Sequence, residues 1–335
     1  MINQYISIDE EGFPSFGDLR VQDPNVGREI FENLFVHEAN SLVTIVRGEK
    51  YIVEAFDEPY VAQMVSIESD LMKILLPYGT EASFDPMSLS VDEWDRFHGY
   101  AKYDQNLVPF VMSRKAQAEF FRLADEYDDD GITFNGQRFN IPPYWQSQTN
   151  VHSADFWSLI YKTENTPGWD LGQAHPALQD MLPRLKLAKS RVLVLGCGAG
   201  HDAAYFAQAG HLVTAIDHSE EAMARGKKLY GHLENIQWLQ ADAFQLPKEM
   251  SHSYDIVFEH TCFCAIDPAR RQDLVQTWKS LLAPGGFLMG VFFAMEKRVG
   301  PPFGGTEWEL RQRLRKDFQF LFWGRWHQSP PSRHG

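Results

Sequence analysis

Disulfide chemistry is the first thing this sequence lacks. Its 335 residues hold three cysteines, Cys197, Cys262 and Cys264, which make no cross-linked framework. Basic charge is the second. Lys and Arg number 31 against 45 Asp and Glu, a net charge of −14. That balance argues against a nucleic-acid binder relying on phosphate contacts. Third, no apolar run approaches the roughly 20 residues that span a bilayer. The N-terminal stretch MINQYISIDEEG also lacks a basic, apolar leader. There is neither an internal repeat nor a low-complexity tract. The expectation is a cytoplasmic protein with no membrane and no nucleic-acid partner. What is present is globular: 44% of residues are hydrophobic, enough for a packed core, and the length suits two domains or one large one.

Charge divides the chain unevenly. Residues 1–150 carry 11 Lys and Arg against 26 Asp and Glu, whereas residues 151–335 carry 20 against 19. All the excess acidity lies in the first part, which predicts two units, 1–150 and 151–335. The first reads as a smaller α+β domain of unknown role. A short helix is expected at Gly27–Leu34, and strands at Leu42–Val46, Tyr51–Phe56 and Tyr60–Ile67. Ser113 is placed to cap a helix running to about Tyr127. Asn135-Gly136, between alternating apolar residues, is a strong hairpin signal. Pro142-Pro143 marks a boundary. His37, His98 and Asp128 to Asp130 read as scattered or solvated, without a catalytic role.

From about residue 152 the pattern becomes strand–helix alternation. Strands are predicted at 191–195, 212–216, 236–239, 255–259 and 287–293, and helices at 174–184, 201–209, 219–230 and 269–282. Such alternation implies a doubly wound parallel sheet with its ligand across the strands' carboxyl ends. The stretch RVLVLGCGAGHDAAYFAQAGHLVTAID (191–217) carries the signal. An apolar strand enters the loop Gly196-Cys197-Gly198-Ala199-Gly200, a helix follows, and a second strand ends in Asp217. Glycines let a ligand lie against bare main chain, and an acid about 20 residues onward suits ribose hydroxyls. The spacing G-x-G-x-G is shorter than the dinucleotide pattern, which favours S-adenosylmethionine over a pyrophosphate cofactor. Asp242, after the third strand, is placed to accept from an adenine amino group, with Phe244 packing on the ring. Ser219 is a better cap than Asp217 for the helix beginning at Glu220.

These features together resemble the class I S-adenosylmethionine-dependent methyltransferases. Within them the segments GWDLGQAHPAL (168–178), the glycine-loop stretch through Met223, FEHTCFCAIDP (258–268), LLAPGGFLMGVFF (281–293) and GPPFGGTEWEL (300–310) resemble the thiopurine and thiol/halide methyltransferase family. The resemblance covers about 150–335 and implies a Rossmann-like domain that binds S-adenosyl-L-methionine and releases S-adenosyl-L-homocysteine. It implies that Trp169 closes over the cofactor's methionine end and that Gly196, Cys197, Gly198 and Gly200 line it. Asp202 meets its ammonium group, Asp217 and His218 lie at the ribose, and Asp242, Ala243 and Phe244 surround adenine. Glu259 and His260 face the methyl-transfer site, His260 as orienting group or base; family members often carry arginine or tyrosine there. No metal is implied.

The acceptor expected from the resemblance is a small thiol or sulfide. Halide, selenium or tellurium oxyanions, nitrogen and oxygen acceptors, and a non-catalytic cofactor sensor remain alternatives. Phe258, Phe263, Phe292, Phe293, Pro301, Pro302 and Phe303 are expected to wall the acceptor site. Cys262 and Cys264 read as buried structural residues alternating on one strand end, and 318–326 (FQFLFWGRW) as a buried strand. The chain stops at SPPSRHG (329–335), where family members continue into a final antiparallel strand. That strand therefore reads as missing, its edge to be covered by the N-terminal unit or a second subunit, and a homodimer is one possible assembly.

Overall fold

A computed structural model describes residues 4–36, 42–68, 71–129, 131–147, 151–295, 297–326 and 328. His37, Asp130 and 329–335, singled out above, lie outside the described residues. Contacts group the chain into two units. One runs to Trp145 and includes Thr306–Glu309; the other comprises Gln146–Gly305 and the residues from Leu310 onward.

The second unit is built on five parallel strands: β1 (Arg191–Leu195), β2 (Leu212–Asp217), β3 (Ile236–Gln240), β4 (Tyr254–His260) and β5 (Leu282–Val291). Their spatial order is β3-β2-β1-β4-β5. The helices that accompany them include α1 (Ala154–Thr163), α2 (Pro176–Leu185), α3 (His201–Gln208), α4 (Glu220–Tyr230) and α5 (Arg271–Leu281). This is the doubly wound parallel arrangement expected from the strand–helix alternation. In β1 the period of two sorts the side chains. Val192 and Val194 join a core with Phe206, Val213 and Phe258. Leu193 and Leu195 join a second core with Leu274, Val275 and Trp278. Burial on both faces is why the strand reads as an uninterrupted apolar run.

Three expectations for this unit are corrected. Residues 318–326 form no strand, and Leu321 and Phe322 are each 72% exposed. The sheet ends at β5, and this segment does not pair with it. Cys262 and Cys264 do not alternate on a strand, because β4 ends at His260. Cys262 lies in the following turn and Cys264 in a single 3₁₀ turn, Phe263–Ala265; both are buried. Phe258, Phe263 and Phe303 are fully buried core residues rather than walls. Phe258 packs against Phe206 at 5.2 Å and Phe263 against Trp278 at 6.1 Å.

The first unit is richer in strands than expected. A six-stranded sheet contains Tyr5–Ile8, Leu42–Val46 and Glu49–Ala55. Its neighbour breaks the single strand expected at Tyr60–Ile67 at Gln63. Tyr60–Ala62 pairs in parallel with Phe110 to Met112, and Met64–Glu68 pairs antiparallel with Leu71–Leu75. These two strands are opposite ends of one sheet, so Gln63 joins its edges and the sheet curls back on itself. Ser113 caps its helix through a bond from the Ala116 N–H. That helix stops at Leu123, because Glu126–Asp128 leaves to pair with Gly131–Phe134. Asn135 (φ 48°) and Gly136 (φ 75°) make the expected hairpin turn, in the left-handed region that such two-residue loops require.

His98 is not solvated: it is 2% exposed. Its Nδ1 lies 3.0 Å from Glu58 and its Nε2 3.0 Å from Asp92. Tyr144 donates to the same Glu58, and Arg96 pairs with Asp57 and Asp92. Burial alone would lower the histidine, but bonds to Asp92 and Glu58 outweigh it and raise its pKa to about 9.

Two measurements test this packing. Trp278→Ala should cost about 3–5 kcal/mol in urea unfolding, as a fully buried aromatic does, whereas Leu321→Ala should change stability by less than about 0.5 kcal/mol. For His98 the folded pKa lies above the unfolded value, so its contribution is complete below about pH 6.5 and is lost as pH rises through about 9. Unfolding free energy should therefore fall by about 3 kcal/mol across that window, and His98→Gln should lack this slope.

Candidate active site

Where β1 ends, the chain must turn sharply into α3, and three glycines make that possible. Gly196, Gly198 and Gly200 have φ of 64°, 54° and 81°. A Cβ on Gly198 would lie 2.7 Å from the Tyr161 hydroxyl, and one on Gly196 2.8 Å from the Cys262 side chain. Main chain is thus left bare beside two side chains that already fill the space a larger residue would need. At Gly200, likewise, the absent Cβ accommodates the Trp238 ring at 2.4 Å, so all three glycines also serve packing. Cys197 is anchored by its N–H to the Ile216 carbonyl at 2.8 Å.

Asp217, the last residue of β2, is oriented by this loop. One oxygen accepts from the Gly198 N–H at 2.8 Å and the other from the Ser219 N–H at 2.9 Å. Burial pushes its pKa up against those bonds. Each oxygen retains a second acceptor position for a ribose hydroxyl. Ser219 itself caps α4 through the Ala222 N–H, as expected, which leaves Asp217 for other work. His218 stands between them.

A second group of side chains converges from α1, α3, α4 and the segment that precedes α2. Trp169 donates its indole N–H to Tyr161 at 3.0 Å, and Trp157 packs edge-on to Trp169 at 5.8 Å. Burial, reinforced by the charge of Asp217, raises the Tyr161 pKa. His201 bonds Asp170 at 2.9 Å through Nε2 and Tyr230 at 2.7 Å through Nδ1. Arg225 on α4 donates to the carbonyls of Asn165, Tyr161 and Glu164. The 164–175 segment is therefore fastened to the start of α3 and to α4.

Asp202 stands in the first turn of α3. Its Oδ1 accepts from the His175 N–H at 2.9 Å, and its Oδ2 accepts from His260 Nδ1 at 2.7 Å. Each oxygen thus receives one bond from the protein and retains a second acceptor position. Burial would raise this carboxyl, but the His260 and His175 bonds hold it below the usual range. His175 caps α2, its Nδ1 accepting from the Ala177 N–H, and its ring meets that of His260 edge-on at 4.7 Å.

Glu259, beside His260 on β4, is 1% exposed. One oxygen accepts from the Phe263 N–H at 2.8 Å, while the other has no partner among the described residues. Burial, only partly offset by neighbouring N–H groups and Arg271, raises its pKa to about 8. At neutral pH it is therefore mainly the uncharged acid. Asp242 accepts from the Phe244 N–H and the Gln245 side chain, closing its own turn after β3 with Ala243 inside it. Arg270 covers the Phe244 ring at 3.7 Å.

The structure thus joins the glycine loop, Asp217, Asp202 and His260 through direct hydrogen bonds and packing, with Trp169 reached through Tyr161. Asp242 and Phe244 share a turn of their own. Sequence reading missed Trp157, Tyr161, Asp170, His175, His201 and Arg225. His175 alone carried a local signal, the His-Pro pair before a helical pattern. The donor set fits an adenosyl cofactor with a sulfonium: bare main chain, a buried acid at the ribose position and an aromatic cluster able to face a cation.

Comparisons agree with that chemistry. Residues 152–325 match the thiopurine S-methyltransferase (TPMT) family. "Probable thiol methyltransferase 2" of Arabidopsis thaliana is 32% identical over 154 residues, covering 45% of this chain and 67% of its own length. "Thiocyanate methyltransferase 1" of the same plant is 33% identical over 150 residues, covering 44% and 64%. The thiopurine S-methyltransferase of Pseudomonas fluorescens is 31% identical over 179 residues, covering 48% and 80%. The chain spans about two thirds of the length of the plant relatives it matches. A solved S-adenosylmethionine-dependent methyltransferase from Aquifex aeolicus aligns over 43% of this chain and 82% of its own at 23% identity and a TM-score of 0.36. Over just more than half its length, then, this chain belongs to the thiopurine S-methyltransferase family of S-adenosylmethionine-dependent methyltransferases.

Proposed function

We propose that this protein transfers a methyl group from S-adenosylmethionine to a small thiol, giving a methyl thioether and S-adenosylhomocysteine. The observation that carries the reading is His260, an imidazole held at the carboxyl end of β4 by Asp202, beside the glycine loop. When bound, the cofactor supplies a methyl group made electrophilic by a positive sulfur.

What the chain must add is modest. The glycine loop and Asp217 bind the adenosine part. Trp157, Trp169 and Tyr161 cover the charged end and exclude water. His260 takes the proton from the acceptor S–H, an unperturbed thiol having a pKa of about 8.5. The thiolate sulfur then forms its bond to the methyl carbon as the carbon–sulfonium bond breaks, the electron pair returning to the cofactor sulfur. Proximity and alignment supply much of the rate. Glu259, uncharged at neutral pH, places no second negative charge beside the incoming thiolate.

A second reading is a soft anion that needs no deprotonation. It is favoured by the similarity to the plant protein named for thiocyanate. The two readings diverge at His260, which a thiol requires and an anion does not.

Calorimetry should detect S-adenosylhomocysteine binding by the wild-type chain. Gly198→Ala, which places a methyl group 2.7 Å from the Tyr161 hydroxyl, should weaken it at least about tenfold, through strain of about 1–3 kcal/mol. In a methyl-acceptor panel, His260→Ala should lower thiol turnover about 10²-fold at neutral pH with cofactor affinity retained. Equal rates for wild type and variant on the preferred thiol would remove His260 from the mechanism. Turnover of thiocyanate alone, indifferent to His260, would establish the second reading.

A further inference from the structure

Asp202 occupies the first turn of α3, immediately after the glycine loop, where the helix N-terminus favours a negative charge. Its two oxygens face two different elements: His260 on β4 and the main chain of His175 ahead of α2. A carboxylate can only accept, so the imidazole nitrogen 2.7 Å away must carry the proton. His175 cannot replace His260 there, because its own Nδ1 already accepts from the Ala177 N–H at 3.1 Å. Among the described residues, the titratable groups around the pair include Cys197 in the glycine loop, Glu259 on β4, His175 at the cap of α2, His201 on α3 and Tyr230 on α4. His201 is committed to Asp170 and Tyr230. Side-chain exposures of 8% for His260 and 14% for Asp202 keep the bond largely away from competing water.

We propose that Asp202 is a positioning residue that locks His260 as the Nδ1–H tautomer, making Nε2 the nitrogen that receives the acceptor's proton. The same carboxylate ties that imidazole to the 164–175 segment, so the base is in place only when the segment carrying Trp169 is docked. This inference rests on the thiol reading above. It also replaces the ammonium-binding role expected for Asp202 with one specific to a chain that has histidine at position 260.

Asp202→Asn is a designed tautomer switch. The His175 N–H is an obligate donor, so the asparagine carbonyl oxygen must turn to it. The amide NH₂ then faces His260 Nδ1 and forces that nitrogen to accept, placing the proton on Nε2. Thiol kcat at pH 7 should fall about 10²-fold, and the deficit should shrink to under about tenfold near pH 9.5, where a thiol of pKa about 8.5 ionises unaided. The double variant with His260→Ala should be no slower than His260→Ala alone, because a residue acting through another loses its effect once that partner is gone. The dissociation constant for S-adenosylhomocysteine should change little.

Multiplicative losses in the double variant, or a much weakened S-adenosylhomocysteine complex with an unchanged pH profile, would overturn the proposal and return Asp202 to the cofactor. Nitrogen NMR of histidine-labelled wild-type protein gives an answer that depends on neither folding of the variant nor the acceptor. The His260 signal, identified by its loss in His260→Ala, should show protonated Nδ1; an Nε2–H ring would overturn the proposal. If wild type binds S-adenosylhomocysteine yet methylates no thiol, the thiol reading fails, and the NMR result alone decides the pairing.

Discussion

Burial of β1 on both faces is the constraint from which the rest of the C-terminal unit follows. Val192 and Val194 fill one core and Leu193 and Leu195 the other, so the strand cannot slip by a residue without exchanging the contents of both. β2 and β4 are pinned on either side of it in parallel register. Parallel neighbours end on the same side, so the glycine loop, Asp217 and His260 emerge together. The site is a consequence of that register.

The polar groups at that end are arranged around three acids, Asp217, Asp202 and Glu259, that differ in their partners. Asp217 and Asp202 each accept two hydrogen bonds from the protein, and those bonds set their directions. Glu259, adjacent to His260, receives fewer, and burial raises its pKa to about 8. Burial raises the pKa of Asp217 and Glu259, whereas the His260 and His175 bonds hold Asp202 down, so carboxyls shifted in opposite directions stand within one site. The aromatic cluster of Trp157, Tyr161 and Trp169 completes the arrangement. It is held in turn by Arg225 and by the Asp170–His201 pair.

The N-terminal unit solves a similar problem with another set of residues. Its curled sheet buries His98 between Glu58 and Asp92, and Arg96 between Asp57 and Asp92. Several buried charges are tolerated because each has an opposite partner at hydrogen-bond distance. The acidic excess of residues 1–150 is therefore not wholly a solvated surface. Part of it neutralises cations inside the unit.

Much was determined by sequence alone, because the relevant physics is local. The five strands of the parallel sheet, the turn glycines, the Ser113 and Ser219 caps and the Asn135-Gly136 hairpin all follow from apolar period, backbone freedom and side-chain reach over a few residues. The cofactor class followed from the glycine-loop spacing together with the family resemblance carried by residues 168–310. Tertiary structure decided what depends on partners distant in sequence. Asp202 is 27 residues from His175 and 58 from His260, and no local pattern reveals which group its oxygens meet. Phe258, Phe263 and Phe303 looked like candidate site walls until packing placed them in the core. The stretch 318–326 has strand composition, but it pairs with no described strand and leaves Leu321 and Phe322 exposed. A residue's type limits the bonds it can form, and the folded neighbours select which of them it makes.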